Sequence, residues 1–122
     1  MNKAIKSVIK KYHLPDSSIM ELRYDGVNLK FDTISDMEFF FHEFARKRSL
    51  HVEMNPYCYS VTVRAKTQQD EMVKTDARKN ELVDLFFEKR REGKSQDAAK
   101  AAQEEYCRAH PEYRTAFALI YG

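Results

Sequence analysis

Cys107 and His110 stand at Cys-x2-His spacing, an interval at which two side chains can share one metal ion. A structural zinc site takes four ligands. The other candidates, Cys58, His51, His42 and His13, are scattered and supply no second close pair. Glu38 and His42 are four residues apart, which on a helix makes them neighbours, and such pairs are ordinarily exposed polar contacts. Cys58 and His51 have the residue types of a nucleophile and its base. Cys58 is flanked by Tyr57 and Tyr59, and no nearby loop offers backbone donors for an oxyanion. Asp25, Asp32 and Asp36 fall at turns and helix starts, where Asp is favoured for structural reasons. The glycines Gly26, Gly93 and Gly122 stand alone, which excludes the clustered glycines of a dinucleotide-binding turn, a P-loop or a kinase-type loop. The sequence therefore assigns no catalytic residue, no metal and no cofactor, and the expectation is a non-enzymatic protein.

The residues suited to binding are of two kinds. Lys3, Lys6, Lys10 and Lys11 precede the first acid, and Arg46-Lys47-Arg48 and Lys89-Arg90-Arg91 form two further clusters. Each cluster lies near the expected C-terminus of a helix, where cations meet the partial negative charge of the helix dipole. That alone accounts for them. Nucleic-acid binding through Lys6, Lys10, Lys11, Arg46, Lys47, Arg48, Lys89, Arg90 and Arg91 is the alternative, and it needs a contiguous positive footprint. Against it, 21 Lys+Arg face 19 Asp+Glu, a formal net charge of only +2, and residues 16–45 are predominantly acidic. Residues 85–91, a turn around Gly93 and residues 95–109 give a helix-turn-helix pattern. Gln96, Lys100, Gln103 and Arg108 are base-reading types, but Asp97, Glu104 and Glu105 on the same helix would meet phosphates unfavourably. The second kind is aromatic. Seven Tyr and eight Phe in 122 residues exceed what so short a chain readily buries. Phe39, Tyr57, Phe87, Tyr113 and Tyr121 are the expected partner-binding anchors.

The elements that must position these residues follow from periodicity. Residues 2–12 read as a helix, with Ile5, Val8, Ile9 and Tyr12 on one stripe, lysines elsewhere, and Pro15 beyond its end. Met20, Leu22 and Tyr24, then Asp25-Gly26, then Val27, Leu29 and Phe31 read as a hairpin with a two-residue turn. The expected register pairs Tyr24 with Val27, Leu22 with Leu29 and Met20 with Phe31. Ser35 and Glu38 have capping-box spacing for a helix running to about Arg48, with Met37, Phe40, Phe41 and Phe44 as its apolar stripe. A second hairpin pairs Met54 with Tyr59 and Val52 with Val61 around the loop Asn55 to Cys58. Residues 70–92 form a long helix ended by Gly93. Ser95 opens another, and Pro111 sits just inside the start of a last one.

The order α-ββ-α-ββ-α-α-α gives an α+β fold: a four-stranded antiparallel sheet from two hairpins packed against helices, with a C-terminal helical segment. Residues 1–68 form the αβ core and 69–122 the helical segment, packed on or projecting from it, within a single domain overall. The order resembles that of homing-endonuclease cores. Residues 2–12 hold neither glycine nor acid, which that family's packed helix needs, so the likeness stops at the order of elements. No apolar run approaches the roughly 20 residues of a membrane span, the N-terminus lacks a signal-peptide core, and two cysteines make no disulfide framework. The expectation is a small cytoplasmic protein acting through protein–protein contact, as regulator or inhibitor of a larger partner, with self-association into a homodimer as one form. No membrane and no small-molecule substrate is expected. The alternatives are a nucleic-acid-binding module and an enzyme whose site the sequence does not reveal.

Overall fold

A computed structural model describes residues 1–122. Its elements follow the expected order: α1 (Lys3–Lys11), β1 (Ile19–Leu22), β2 (Gly26–Lys30), α2 (Ile34–Ala45), β3 (Leu50–Asn55), β4 (Ser60–Ala65), α3 (Lys66–Arg91), α4 (Gln96–Ala109) and α5 (Arg114–Tyr121). Short 3-10 turns precede β1 and α5. The chain divides into two units, Met1–Glu71 and Met72–Gly122.

In the first unit the four strands form one antiparallel sheet in the order β1-β2-β4-β3. The central ladder pairs Val27 with Val63 and Leu29 with Val61. These four side chains are almost fully buried with Ile5 and Val8 of α1 and Met37, Phe40 and Phe44 of α2. Burying a side chain of this size stabilises the fold by roughly 1.5–3 kcal/mol, so this cluster dominates the unit.

The first hairpin departs from the expected register. Ile19 pairs with Leu29, Glu21 with Val27 and Leu22 with Gly26. Because side chains alternate along a strand, a slip by an odd number of positions exchanges the faces. Ile19 therefore shares the core side with Leu29, while Met20 is 55% exposed. The turn explains the slip. The left-handed backbone falls at Tyr24 (φ 58°) and Asp25 (φ 57°), and the Gly26 N–H donates to Arg23 O at 3.4 Å. Gly26 is thus a strand residue rather than the second turn residue. Its lack of a side chain serves a close approach: a Cβ there would lie 2.7 Å from Cγ and Nε of Arg64, whose Nε donates to Arg23 O at 3.1 Å.

The second hairpin slips by two positions, pairing Val52 with Val63, Met54 with Val61 and Asn55 with Ser60. An even slip leaves the faces unchanged. Tyr59 is left-handed (φ 51°), so the ladder begins at Ser60, and Asn55 Oδ1 accepts from Tyr57 N at 3.1 Å to fix the loop through Pro56.

Helix ends follow local chemistry. Asn2 Oδ1 caps α1 on the Ala4 and Ile5 amides. His13 adopts φ 51°, and Leu14 N donates to Ile9 O at 3.1 Å, so α1 closes in a Schellman turn before Pro15 is reached. The cap of α2 is Thr33, not Ser35: the Thr33 backbone is extended and its hydroxyl accepts from Asp36 N at 3.1 Å, while Ser35 is already helical. The helix stops at Ala45, short of Arg48. α3 begins at Lys66, directly after β4 and earlier than residue 70, and ends with Gly93 at φ 88°. Ser95 Oγ caps α4 on Ala98 N at 3.1 Å. Pro111 opens the 3-10 turn Pro111–Tyr113 that leads into α5. Leu82, Cys107 and Ala116 form the core of the second unit, with Tyr113, Phe117 and Ile120 packed against it.

Two substitutions test these assignments by urea unfolding. Thr33→Ala is expected to lower stability by about 1 kcal/mol and Ser35→Ala by no more than a few tenths, the reverse of what the Ser35 cap requires. Gly26→Ala is expected to destabilise by about 1–2 kcal/mol, with much of that loss absent in an Arg64→Ala background.

Candidate functional site

The second unit carries a cleft of about 370 Å³ among α3, α4 and α5. Its apolar lining comes from Val83, Phe86, Phe87, Ile120 and Tyr121, and Gln96, Asp97 and Lys100 supply polar groups. Phe86 and Phe87 are adjacent on α3 and so point about 100° apart. Phe86 is half-buried, Phe87 is 54% exposed, and the rings meet edge to face at 5.6 Å.

Gln103 holds the cleft together. It is 1% exposed, and both ends of its amide are engaged. Its Nε2 donates to Leu82 O at 2.7 Å, and its Oε1 accepts from the Tyr121 hydroxyl. A buried amide left unpaired would be costly, so this pair of bonds ties α4 to both α3 and α5. Lys100 Nζ lies 4.6 Å from the centre of the Tyr121 ring, a cation–π contact at the cleft wall. Burial pushes the Tyr121 phenol above its ordinary pKa.

The five rings expected to bind a partner occupy different places. Phe87 and Tyr121 share this cleft. Tyr113 packs on the Leu82–Cys107–Ala116 cluster, stands edge-on to Tyr106 at 5.1 Å and donates its hydroxyl to Glu81. That carboxylate, accepting the phenolic proton, drives the Tyr113 pKa well above its ordinary value. Phe39 belongs to the first unit, where it meets Tyr12 and Phe40 edge to face at 5.4 and 5.0 Å and remains 46% exposed. Tyr57 stands in the β3–β4 turn, 96% exposed.

The basic residues divide likewise. Lys11, Arg46 and Lys47 line one cleft of about 240 Å³ in the first unit, together with Ser7 and Glu43. Lys6, Lys10 and Arg48 are exposed. Lys89 pairs with Glu92 at 3.5 Å and Arg90 donates to Lys94 O at 3.0 Å, both at the closing turn of α3, while Arg91 is exposed. Gln103, a base-reading residue in the helix-turn-helix pattern, points inward.

The residues suited to nucleophilic or metal chemistry are engaged separately. The Cys58 thiol meets Ser60 Oγ at 3.2 Å, whereas His51 Nε2 meets Glu53 Oε1 at 2.9 Å and lies opposite Arg64, toward the other end of the hairpin. Cys107 Sγ donates to Tyr113 O at 3.8 Å, and burial raises its pKa, which disfavours the thiolate. The His110 ring packs on Tyr106 at 4.4 Å. Gln103 is a site residue that its type, that of a base-reading side chain, does not reveal. The signal was its position midway between Ala99 and Cys107 at four-residue spacing, a polar residue inside a buried stripe.

No protein-family description, characterised protein or solved structure matches this chain.

The Tyr113–Glu81 bond has a pH signature. A phenol whose pKa is higher folded than unfolded contributes stability that is complete below its unfolded value, near 10, and is lost as pH rises toward and through the folded value. Melting followed by circular dichroism is expected to show a smaller fall in Tm between pH 9 and pH 11 for Tyr113→Phe than for the parent chain. An equal fall in both would show that this phenol is not linked to folding.

Proposed function

We propose that this chain is a small binding protein that acts by contact with another protein, regulating or inhibiting it, and that the cleft of the C-terminal unit is where contact is made. The supporting observation is the conjunction of Phe87, exposed over half its surface, and Tyr121 in one cleft with an apolar floor. Interface anchors are typically aromatic side chains and pockets surrounded by a polar rim. The volume of about 370 Å³ suits one or two large side chains. Lys100 stands at the wall as the cation, with Gln96 and Asp97 as further hydrogen-bonding groups. The occupant is a peptide segment with one large apolar side chain next to a carboxylate that Lys100 meets.

The cytoplasm is the proposed compartment. Cys58 is free and exposed, a thiol that a reducing environment preserves. No helix is long and apolar enough to cross a membrane.

Selection of a random peptide library on the full chain tests the reading. Enriched peptides are expected to carry an aromatic residue or Leu beside Asp or Glu. Phe87→Glu is expected to weaken their binding at least tenfold, about 1.4 kcal/mol, without changing Tm. Enriched peptides indifferent to Phe87→Glu, or a library that yields none, would overturn it.

A further inference from the structure

The exposed side of α1 is wholly basic in its charged residues. Ile5 and Val8 are buried and Ile9 and Tyr12 are packed on the core, so the apolar arc of the helix is fully engaged. Lys3, Lys6, Lys10 and Lys11 occupy the opposite arc, all exposed and none ion-paired. The positive surface resumes just past the end of α2, where Arg46, Lys47 and Arg48 follow Ala45; α2 itself carries Asp36, Glu38 and Glu43 and no Lys or Arg. Contacts between the two helices run antiparallel: Tyr12 meets Phe39 and Phe40, while Ser7 and Val8 share a cleft with Arg46 and Lys47. Lys11 of α1 and Arg46 and Lys47, remote in sequence, are thereby brought together, with the exposed Lys10 and Arg48 as their chain neighbours. The acid among these cations is Glu43, whose side chain is only 13% exposed and is engaged by the Tyr12 hydroxyl at 2.9 Å and by Arg46 at 3.3 Å, while the exposed acids Asp36 and Glu38 stand nearer the N-terminal end of α2, beside Phe39.

A flat ring adjoins these cations. Phe39 and Glu43 on α2 and its C-cap Arg46 are at i, i+4 and i+7 and so share one stripe, with Phe39 about 10 Å from Arg46 along the axis. Phe39 is held edge-on by Tyr12 and Phe40 and keeps nearly half its surface in solvent. Unpaired cations beside an exposed, fixed ring are what a single-stranded nucleic acid requires: phosphates for the cations, and a base to stack on the ring without regard to sequence.

We propose that the α1–α2 flank binds single-stranded nucleic acid, with Lys10, Lys11, Lys47 and Arg48 on backbone phosphates and a base stacked on Phe39. A lipid surface fits less well, because an interfacial helix must offer an apolar face to the bilayer, and that of α1 is occupied by the core. An acidic peptide would use the cations but gives no reason for a fixed flat ring beside them. This surface lies within residues 1–71 and stands independently of the protein-binding cleft.

Fluorescence anisotropy with labelled 20-nucleotide oligo-dT and oligo-rU, on the full chain, tests the proposal. Four cations on single-strand phosphates give a salt slope of roughly −2.8, so lowering salt from 200 to 50 mM is expected to tighten binding about 50-fold. Simultaneous Lys10→Glu, Lys11→Glu and Lys47→Glu is expected to weaken binding more than tenfold. Phe39→Leu, which keeps an apolar side chain but removes the π-face, is expected to weaken it about fivefold or more, and Phe39→Trp to retain it. Circular dichroism melting of each variant separates loss of binding from loss of fold. No binding at 50 mM salt would overturn the proposal, as would indifference to the triple reversal or to Phe39→Leu in folded protein. Displacement of the oligonucleotide by equal charge concentrations of polyglutamate, or tighter binding to phosphatidylserine vesicles, would reassign the surface to an acidic protein or a membrane.

Discussion

The pairing of β2 with β4 is the constraint on which the N-terminal unit depends. A single hairpin is marginally stable in water, because two strands cannot bury enough surface to offset the cost of ordering them. Val27 against Val63 and Leu29 against Val61 join the two hairpins into one sheet and make their apolar sides continuous. Only then is there a floor for the Phe40 and Phe44 side chains of α2 and the Ile5 and Val8 side chains of α1. Once the helices are seated with their oily arcs downward, their charged arcs have nowhere to go but outward. The clustering of Lys11 with Arg46 and Lys47 is a by-product of that packing, and it gives the unit its most distinctive surface.

The C-terminal unit rests on a different kind of interaction. Its core of Leu82, Cys107 and Ala116 is small, and two of the three members are slight side chains. Alanines and a thiol let helices approach closely but fill little volume. Gln103 offsets this by linking a backbone carbonyl of α3 and a phenol of α5 through one buried amide. The arrangement orients Tyr121 as a wall, leaves Phe87 uncovered, and opens the cleft between them. The polar bond that fixes the helices is thus also what shapes the concavity.

Hairpin registers show where local reasoning lost its grip. Alternation of apolar residues identified all four strands, yet Met20, Leu22 and Tyr24 offered one alternating set and Ile19 the start of another. The left-handed pair Tyr24 and Asp25 selected the second, and Arg64, reaching across from β4, occupied the space above Gly26 that made this register fit. Arg64 is 38 positions further along the chain from Gly26, so no window around the turn contains it. The α2 cap shifted for a related reason. Thr33 and Ser35 are both competent caps, and the choice fell to the residue whose backbone was already extended as the chain left β2.

The sequence by itself determined the kind and order of the elements, the closing glycine of α3, the Ser95 cap of α4 and most of the side chains that line each core. These depend on interactions within a few residues, where period, cap and turn chemistry act directly. Tertiary structure decided which of two registers β1 adopts, whether Gln103 faces inward or outward, which aromatic rings share a cleft and which cations share a flank. Each of those is a contest between positions distant along the chain, settled by how much apolar surface the whole arrangement removes from water and by which buried polar groups find partners.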